Sequence, residues 1–170
     1  MTFLLAPMSP LILWLTVALL ALPVVFLLFG LIGGPPAGFV LVPMAGLILV
    51  LYAVIWLWSR PTRFELTPDA LILVWPVRRR RIERADIRGA TVLAKGDARR
   101  QLGFGMRIGA GGLWGGFGWL WTTRRGLLDL YVSRETDVVL VELDPRAGRS
   151  LLLTPERPEA FVAALQRPGS

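Results

Sequence analysis

The chain has 170 residues, enough for one domain with a small additional segment, and a formal net charge of +7. It contains no cysteine and no histidine, which excludes disulfides, metal sites built from thiolate or imidazole ligands, and the usual general base near neutral pH. Residues 1–59 contain no Asp, Glu, Lys or Arg, so all 19 basic and 12 acidic side chains lie in residues 60–170. The sequence therefore divides into an uncharged N-terminal part and a basic C-terminal part.

Two uncharged apolar stretches, residues 11–31 and 38–58, occupy most of the N-terminal part. Each has 21 residues, which as a helix would extend ~30 Å, about the thickness of the hydrocarbon core of a bilayer. Residues 33–38 (GGPPAG) lie at their junction, and this run of glycine and proline predicts a tight turn. Residues 1–59 are therefore predicted to form a transmembrane hairpin, because a signal peptide would have a basic start and one short apolar core.

The basic residues predict the orientation of this hairpin. Arg60 and Arg63 follow the second stretch, and four more arginines lie at 78–81, whereas the turn and the N-terminal tail carry no charged side chain. The positive-inside rule then places the C-terminal side in the cytosol, and two spans return the N-terminus to the same side. Trp56 and Trp58 are predicted to lie at the cytosolic interface, where amphipathic rings accumulate.

The C-terminal part, residues 60–170, shows short segments of alternating apolar and polar residues separated by turn residues, a pattern typical of strands. Short turns (RETD and DPRAG) separate the last three segments, which predicts an antiparallel meander. The predicted strands are 63–66 (RFEL), 70–75 (ALILVW), 77–83 (VRRRRIE), 89–94 (GATVLA), 127–133 (LLDLYVS), 137–143 (DVVLVEL) and 149–153 (RSLLL).

A change of period after the last strand predicts a closing helix. Thr154 is a favourable N-cap, proline follows it, and Phe161, Ala164 and Leu165 fall on one face at helical spacing. Such a helix would cover the open end of a bent sheet or partly open barrel. The predicted fold class is thus a membrane α-hairpin followed by a mainly β domain with a C-terminal helix.

A glycine-rich run, GFGMRIGAGGLWGGFGWLW (103–121), precedes the last three predicted strands. It lacks the Gly-Lys-Ser or Gly-Lys-Thr of a phosphate-binding P-loop, and the one lysine of the chain, Lys95, lies outside it. Ile108 and Trp114 stand where a dinucleotide fingerprint needs its third glycine. The run is therefore not predicted to bind a nucleotide.

Two interpretations of this run remain open. In the first, the glycines permit sharp bends and close strand crossings, while Leu113, Trp114 and Phe117 fill the core. In the second, tryptophans of the run insert into the bilayer interface, because the domain starts two residues after Trp58. The candidate membrane-interface aromatics are Trp56, Trp58, Trp114, Trp119 and Trp121.

The densest charge in the chain is formed by Arg78, Arg79, Arg80 and Arg81. On a strand, successive side chains point to opposite faces, so the four cannot form one flat patch unless they lie at a turn. One interpretation is a solvated strand edge that discourages edge pairing and reinforces the membrane orientation. The other is contact with anionic lipid headgroups, worth ~1 kcal/mol for each basic residue near the surface. Nucleic acid is not a predicted partner, because base-stacking aromatics on a basic sheet face are not evident.

The sequence offers no arrangement of residues for catalysis. Asp86, Asp129, Glu142 and Asp144 are scattered carboxylates, and there is no histidine to activate a serine. The apolar stretches contain no ionisable side chain, so a transporter or channel formed by the hairpin alone is not predicted. No catalytic residue, cofactor or metal ligand is therefore predicted.

Four segments, in their order along the chain, are similar to segments of a known family. They are RFELTPDALIL, RRRIERADI, GAGGLWGGFGWLW followed by LLDLYVS, and LLLTPERPEAFVAAL. Together, over about residues 60–166, they resemble the bacterial pleckstrin-homology-like (PH-like) domains of the membrane-anchored type. The resemblance implies a bent seven-stranded antiparallel sheet, or a partly open barrel, capped by a C-terminal helix, with no catalytic residues. The individual positions that match are Tyr131, Thr154, Pro155, Phe161, Val162 and Leu165.

The resemblance and the residues together imply a non-catalytic binding or scaffolding module at the bacterial inner membrane, with both termini in the cytoplasm. Its expected partners are membrane lipids or a protein in a membrane complex, and association into homo-oligomers is left open. The alternative is an accessory subunit of a membrane enzyme or transport complex whose chemistry lies in the partner.

Overall fold

Two long apolar helices form the N-terminal part of the structure, a computed structural model that describes residues 1–94 and 96–167. Helix α1 spans Pro10–Ile32, helix α2 spans Gly34–Val54, and a π-helical turn continues α2 over Ile55–Ser59. We call α1, α2 and this turn the helix pair. Lys95 and the predicted end of the domain at 168–170 lie outside the described residues.

The connection within the helix pair is shorter than predicted. Only Gly33 separates α1 from α2, because the prolines that follow lie in the first turn of α2, where helical N–H groups have no partner. Gly30 and Gly38 allow a close approach, since a Cβ at Gly38 would lie 3.0 Å from the carbonyl oxygen of Gly30. Both helices are long and apolar enough to cross a bilayer, and only 17% and 6% of their most apolar stretches are buried.

Ten strands, two shorter α-helices and one turn of 3-10 helix (Arg84–Asp86) complete the part of the chain that the structure describes. The strands are β1 (Thr2–Leu4), β2 (Arg63–Leu66), β3 (Ala70–Val74), β4 (Arg79–Glu83), β5 (Ile87–Leu93), β6 (Gly105–Gly111), β7 (Gly116–Thr122), β8 (Gly126–Val132), β9 (Val138–Leu143) and β10 (Leu151–Leu153). The helices are α3 (Asp97–Leu102) and α4 (Pro158–Gln166).

The strands form two sheets that are not closed into a barrel. One sheet has four strands in the order β1-β2-β3-β4, and the other has six in the order β5-β9-β10-β8-β7-β6. The main core lies between the sheets and contains the fully buried rings of Phe64, Phe117 and Phe161. α4 packs against β5 and β9. This arrangement confirms the predicted fold class, in which two N-terminal helices precede a mainly β domain with a C-terminal helix.

A second, smaller apolar cluster lies on the opposite face of the six-stranded sheet, which we call the outer face. It joins Leu102 of α3 to Leu130 of β8 and Leu152 of β10. Both faces of this sheet are therefore apolar in the middle, one against the four-stranded sheet and one against α3.

The predicted meander of the last three strands is wrong. β10 lies between β8 and β9, antiparallel to β9 and parallel to β8. Leu151, Leu152 and Leu153 are all buried, because apolar clusters cover this central strand on both faces. The turn residues identified the strand segments correctly but carried no information about which strands pair.

Two further local predictions are corrected by the structure. α4 begins at Pro158, after Arg157, so Thr154 is not its N-cap. Thr154 is instead fully buried, and its hydroxyl accepts a hydrogen bond from the N–H of Ser133 at 2.8 Å. The glycine-rich run, for which no strand was predicted, forms the β6–β7 hairpin, whose turn over residues 112–115 we call the tip.

Candidate functional site at the junction of the helix pair and the sheets

The segment before α1 is bound to the sheets. β1 pairs with β2, and beyond it Ala6 N–H donates to the carbonyl of Thr154 at 2.8 Å, while Ser9 N–H donates to the carbonyl of Ser133 at 3.2 Å. The Ser133 hydroxyl donates to the carbonyl of Ala6 at 2.6 Å. Because buried polar groups are costly without partners, this network fixes where α1 leaves the sheets.

The tip of the β6–β7 hairpin contacts α1 at Thr16, the only polar side chain in that helix. Thr16 is 3% exposed, and its Oγ1 accepts a hydrogen bond from the N–H of Trp114 at 2.9 Å. The same hydroxyl lies 2.7 Å from the carbonyl of Ile12 and 3.1 Å from that of Gly112, and it donates to one of them at a time. Thr16 therefore satisfies backbone groups of the tip that face an apolar helix.

The tip also contacts α2, through the ring of Trp114. The ring centroid of Trp114 lies 4.7 Å from that of Trp56 and 6.5 Å from that of Tyr52, both in edge-to-face geometry. The Tyr52 hydroxyl donates to the carbonyl of Leu19 in α1 at 2.7 Å. The Arg60 guanidinium lies 4.4 Å from the Trp56 ring centroid, and burial lowers the pKa of Arg60. Both helices thus hold the tip in place.

A concave surface of about 600 Å³ lies beside the end of the helix pair. Its basic lining residues are Arg63, Arg78 and Arg79, and we call it the basic concavity. The Arg78 guanidinium lies 4.4 Å from the ring centroid of Trp75. The indole N–H of Trp75 donates to the carbonyl of Ser59 at 3.2 Å. This bond attaches the turn between β3 and β4 to the last residue of the helix pair.

The basic concavity carries net positive charge. Arg63 pairs with Glu65 at 2.7 Å, and this hydrogen bond holds the pKa of Glu65 below its ordinary value. Within residues 1–94 and 96–167, neither Arg78 nor Arg79 forms an ion pair with an acidic side chain. Two of the three guanidinium groups are therefore not neutralised by the protein.

The structure separates Arg80 and Arg81 from the basic concavity. Arg80 pairs with Asp129 Oδ2 at 2.5 Å, and Arg149 pairs with Asp129 Oδ1 at 3.0 Å. The Asp129 side chain is only 4% exposed, so the two guanidinium groups compensate a buried charge. Arg81 is exposed on β4. The four consecutive arginines thus divide between the basic concavity, an ion pair that links the two sheets, and an exposed strand position.

The tryptophans singled out as membrane-interface candidates also divide into groups. Trp56 and Trp114 contact each other at the junction, and Trp58 is 49% exposed in the π-helical turn. Trp119 and Trp121 lie on β7 and are 46% and 43% exposed. Trp56 is 39% exposed despite its contact with Trp114, so among the five candidates only Trp114 is largely covered by the protein.

An exposed apolar patch accompanies the last two tryptophans. Trp119 is opposite Ile108 and Trp121 is opposite Met106, so the four side chains share one face of the β6–β7 hairpin. Ile108 is 43% exposed and Met106 is 55% exposed. β6 is the last strand of its sheet, so we call this surface the edge patch.

Sequence reasoning did not identify Thr16 or Ser133 as junction residues. Thr16 had a usable signal, because a single polar side chain within an apolar helix needs a partner. Ser133 had none, because the carbonyl of Ala6 to which it donates lies 127 residues earlier in the chain. Among the described residues, no group of three or more potential metal-ligating side chains is found.

The part of the chain that forms the two sheets after the helix pair matches a known family. A family model described as Bacterial PH domain matches residues 62–168, more than half of the chain. The matched range begins three residues after Ser59, the last residue of the helix pair, and contains β2 to β10, α3 and α4. Domains of this family are generally non-catalytic binding modules. No curated protein and no solved structure matches the chain.

Proposed function

The chain belongs to the bacterial PH domain family, and from this premise we propose that it is a membrane-anchored, non-catalytic module that engages an anionic lipid surface. The helix pair is the anchor, and the basic concavity faces the headgroups. The observation that carries this proposal is the bond from Trp75 to Ser59, which places the basic concavity directly beside the end of the helix pair.

The apolar surface of the helix pair supports an anchoring role. Trp14 is 73% exposed, Phe29 65% and Phe39 86%, whereas a core helix of a soluble protein would have such side chains covered. Soluble monomers rarely expose apolar patches larger than ~300–600 Å². A bilayer solvates these side chains, and a helix satisfies its own backbone groups there.

The pairing of β1 with β2 supports the predicted sidedness. β1 precedes α1 and β2 follows the π-helical turn, so their pairing keeps both ends of the helix pair on one side of the bilayer. All charged side chains lie in residues 60–170, after the helix pair, and among them the arginines outnumber the carboxylates. By the positive-inside rule this side is the cytoplasm, at the inner membrane of a bacterium.

The basic concavity has the composition expected of a headgroup-binding surface. Each basic residue near an anionic surface contributes ~1 kcal/mol, and salt weakens the attraction. Val77, in the same turn as Arg78, is 47% exposed and adds an apolar contact at the boundary of the acyl chains. Contact with anionic lipid thus requires no rearrangement of the junction.

The anchor is tested with the full-length chain produced in bacteria. We expect the whole chain in the membrane fraction, where it stays after an alkaline carbonate wash and is released only by detergent. Recovery of the chain in the soluble fraction would contradict the anchor.

The headgroup contact is tested in nanodiscs containing phosphatidylglycerol or phosphatidylcholine. Phosphatidylglycerol should raise the free energy of unfolding of the parent chain above its value in phosphatidylcholine. In the double variant Arg78→Gln/Arg79→Gln this increase should be smaller by about 2 kcal/mol. The matched control is Arg124→Gln/Arg146→Gln, in the turns at the opposite end of the sheets, and it should respond as the parent does. Equal stability of the parent in both lipids would reject the role of the concavity.

A second candidate function, an accessory subunit of a membrane complex, is favoured by the edge patch. β6 has one open side, and an exposed strand edge beside apolar side chains is a common docking place for an added strand. Purification of the full chain in a mild detergent distinguishes the two functions. A stoichiometric protein that is lost from a Trp119→Ala/Trp121→Ala variant would support the subunit.

A further inference from the structure

A cavity of about 280 Å³ lies between the first turns of α1 and the outer face of the six-stranded sheet. It is separate from the basic concavity, with which it shares no lining residue. Its apolar lining includes Leu11 and Leu15 of α1, Leu102 of α3, Leu130 of β8 and Leu152 of β10. An apolar chamber is thus formed jointly by the proposed anchor and the PH domain.

Two arginines line this apolar cavity. A Cβ added at Gly116 would lie 2.8 Å from Nη1 of Arg107, so the guanidinium rests against the backbone next to the tip. The Nε of Arg134 is buried and has no hydrogen-bond partner among the described residues, and the ion pair of Arg134 with Asp137 is long, at 3.8 Å. Glu135 also lines the cavity, so its three charged side chains leave an excess of one positive charge.

The volume suits one hydrocarbon chain. A methylene group takes about as much space as a water molecule, ~30 Å³. The cavity of about 280 Å³ therefore holds about nine methylene groups. This is enough for part of one acyl chain, whereas a small hydrophilic anion would leave the leucine walls without a partner.

We propose that this cavity binds one acyl chain of an anionic membrane phospholipid, whose phosphate lies at Arg107 and Arg134. The inference rests on the proposed membrane anchoring, because Leu11 and Leu15 belong to the helix that continues into the bilayer. A chain leaving the leaflet along α1 reaches the cavity without crossing water. Guanidinium groups bind phosphate oxygens with two parallel hydrogen bonds, and such a phosphate supplies Arg134 Nε with an acceptor.

The experiment uses the full-length chain, purified in a neutral detergent and stripped of lipid. Phosphatidylglycerol and phosphatidylcholine with the same acyl chains are added separately, and native mass spectrometry counts the lipids bound to each chain. We expect one phosphatidylglycerol bound at least tenfold more tightly than phosphatidylcholine. Equal affinity for the two lipids would overturn the assignment of the phosphate to the arginines.

Two variants locate the bound lipid. Arg107→Gln/Arg134→Gln should weaken phosphatidylglycerol binding about 30-fold, given the usual contribution of a basic residue. Leu15→Trp places a larger side chain in the cavity and should weaken binding at least tenfold. Leu15 is 45% exposed, so the replacement does not disturb the core.

Two controls match these variants. Leu13→Trp enlarges an exposed residue of α1 outside the cavity lining, and Arg81→Gln/Arg146→Gln removes two exposed charges that do not line the cavity. Both should bind as the parent does. If Leu13→Trp and Leu15→Trp bind phosphatidylglycerol alike, the lipid lies on the surface of the helix pair, and the cavity assignment is overturned.

The same preparations separate this inference from the proposed function. A chain that is found in membranes but retains no phosphatidylglycerol overturns the cavity assignment alone. A chain found in the soluble fraction overturns the membrane anchor and, with it, the source of the acyl chain.

Discussion

Trp114 at the tip of the β6–β7 hairpin and Trp119 in its strands are five residues apart, yet their surroundings differ completely. Trp114 packs on Trp56 of the helix pair, and its N–H bonds to Thr16. Trp119 is 46% exposed, with the Arg149 guanidinium 5.6 Å from its ring centroid. One indole is part of a joint between two regions, and the other lies on an open surface.

The comparison shows that the role of a tryptophan here depends on which element covers it. The same glycine-rich run supplies both residues, and the helix pair reaches only the tip. Changes at the tip should therefore lower the free energy of unfolding, whereas changes on the edge patch should affect association and leave stability intact. Four predictions test this division.

The largest effect is expected from Gly115→Ala at the tip. Gly115 has a φ of +146°, and a Cβ there would overlap the carbonyl oxygen of Val132. The strained backbone and the overlap together should lower the free energy of unfolding by about 3 kcal/mol or more. Denaturant titration of the detergent-solubilised chain measures this loss. Gly111→Ala, whose Cβ meets only the flexible end of Arg107, is the control and should stay within ~0.5 kcal/mol of the parent.

Trp114→Ala should lower the free energy of unfolding by about 3 kcal/mol, because it removes a large, half-buried ring from the contact between the tip and the helix pair. Combining it with Trp56→Ala in a double-mutant cycle should give a coupling energy of ~0.5–1.5 kcal/mol for the edge-to-face pair. The free energy of unfolding of the four chains provides this value. Strictly additive losses would show that the two rings do not interact.

Thr16→Val should lower the free energy of unfolding by ~1–2 kcal/mol, because the N–H of Trp114 loses its acceptor while the shape of the side chain is kept. Thr91→Val is the control, since Thr91 is exposed on β5. Its effect should stay within ~0.5 kcal/mol. If the two variants have similar free energies of unfolding in the same titration, the Thr16 hydroxyl does not stabilise the contact between the tip and α1.

The smallest effect on stability is expected for Trp119→Ala and Trp121→Ala, each within ~0.5 kcal/mol of the parent. Both rings are largely exposed, so little packing is lost. Unfolding is measured as for the tip variants. A loss as large as that of Trp114→Ala would remove the distinction between the tip and the edge patch.

The helices and most strand segments were predictable because their signals are local. The apolar stretches at 11–31 and 38–58 correspond to α1 and to α2 with its π-helical turn, and the segments 63–66 and 70–75 correspond to β2 and β3. Each of these elements is defined by a hydrophobic period that can be read within about twenty residues.

Strand pairing could not be predicted in the same way, because it depends on distant residues. Leu151–Leu153 is apolar at every position, a pattern that indicates a central strand. However, no neighbouring residue in the sequence indicates that β8 is its parallel partner. β6 and β7 were missed because glycine has a low preference for strands. Their ladder forms across paired positions, such as Gly109 opposite Gly118.

The candidate site shows the same limit. The four arginines at 78–81 were found from the sequence, but their division among three environments follows from Asp129 and Ser59, which lie on other elements. Arg107 and Arg134 are far apart in the sequence and belong to no run of basic residues, so only the fold brings them to one cavity.

β1 has a consequence for the order in which the molecule is assembled. Thr2 is paired with Glu65, so β1 leaves the ribosome before its neighbour β2, which is translated only after both long helices. The four-stranded sheet reaches completion only in a polypeptide that has already doubled back on itself. If the chain does not double back, β1 cannot pair and the outer edge of β2 stays without a partner. Such unpaired edges bind chaperones, proteases or other nascent chains.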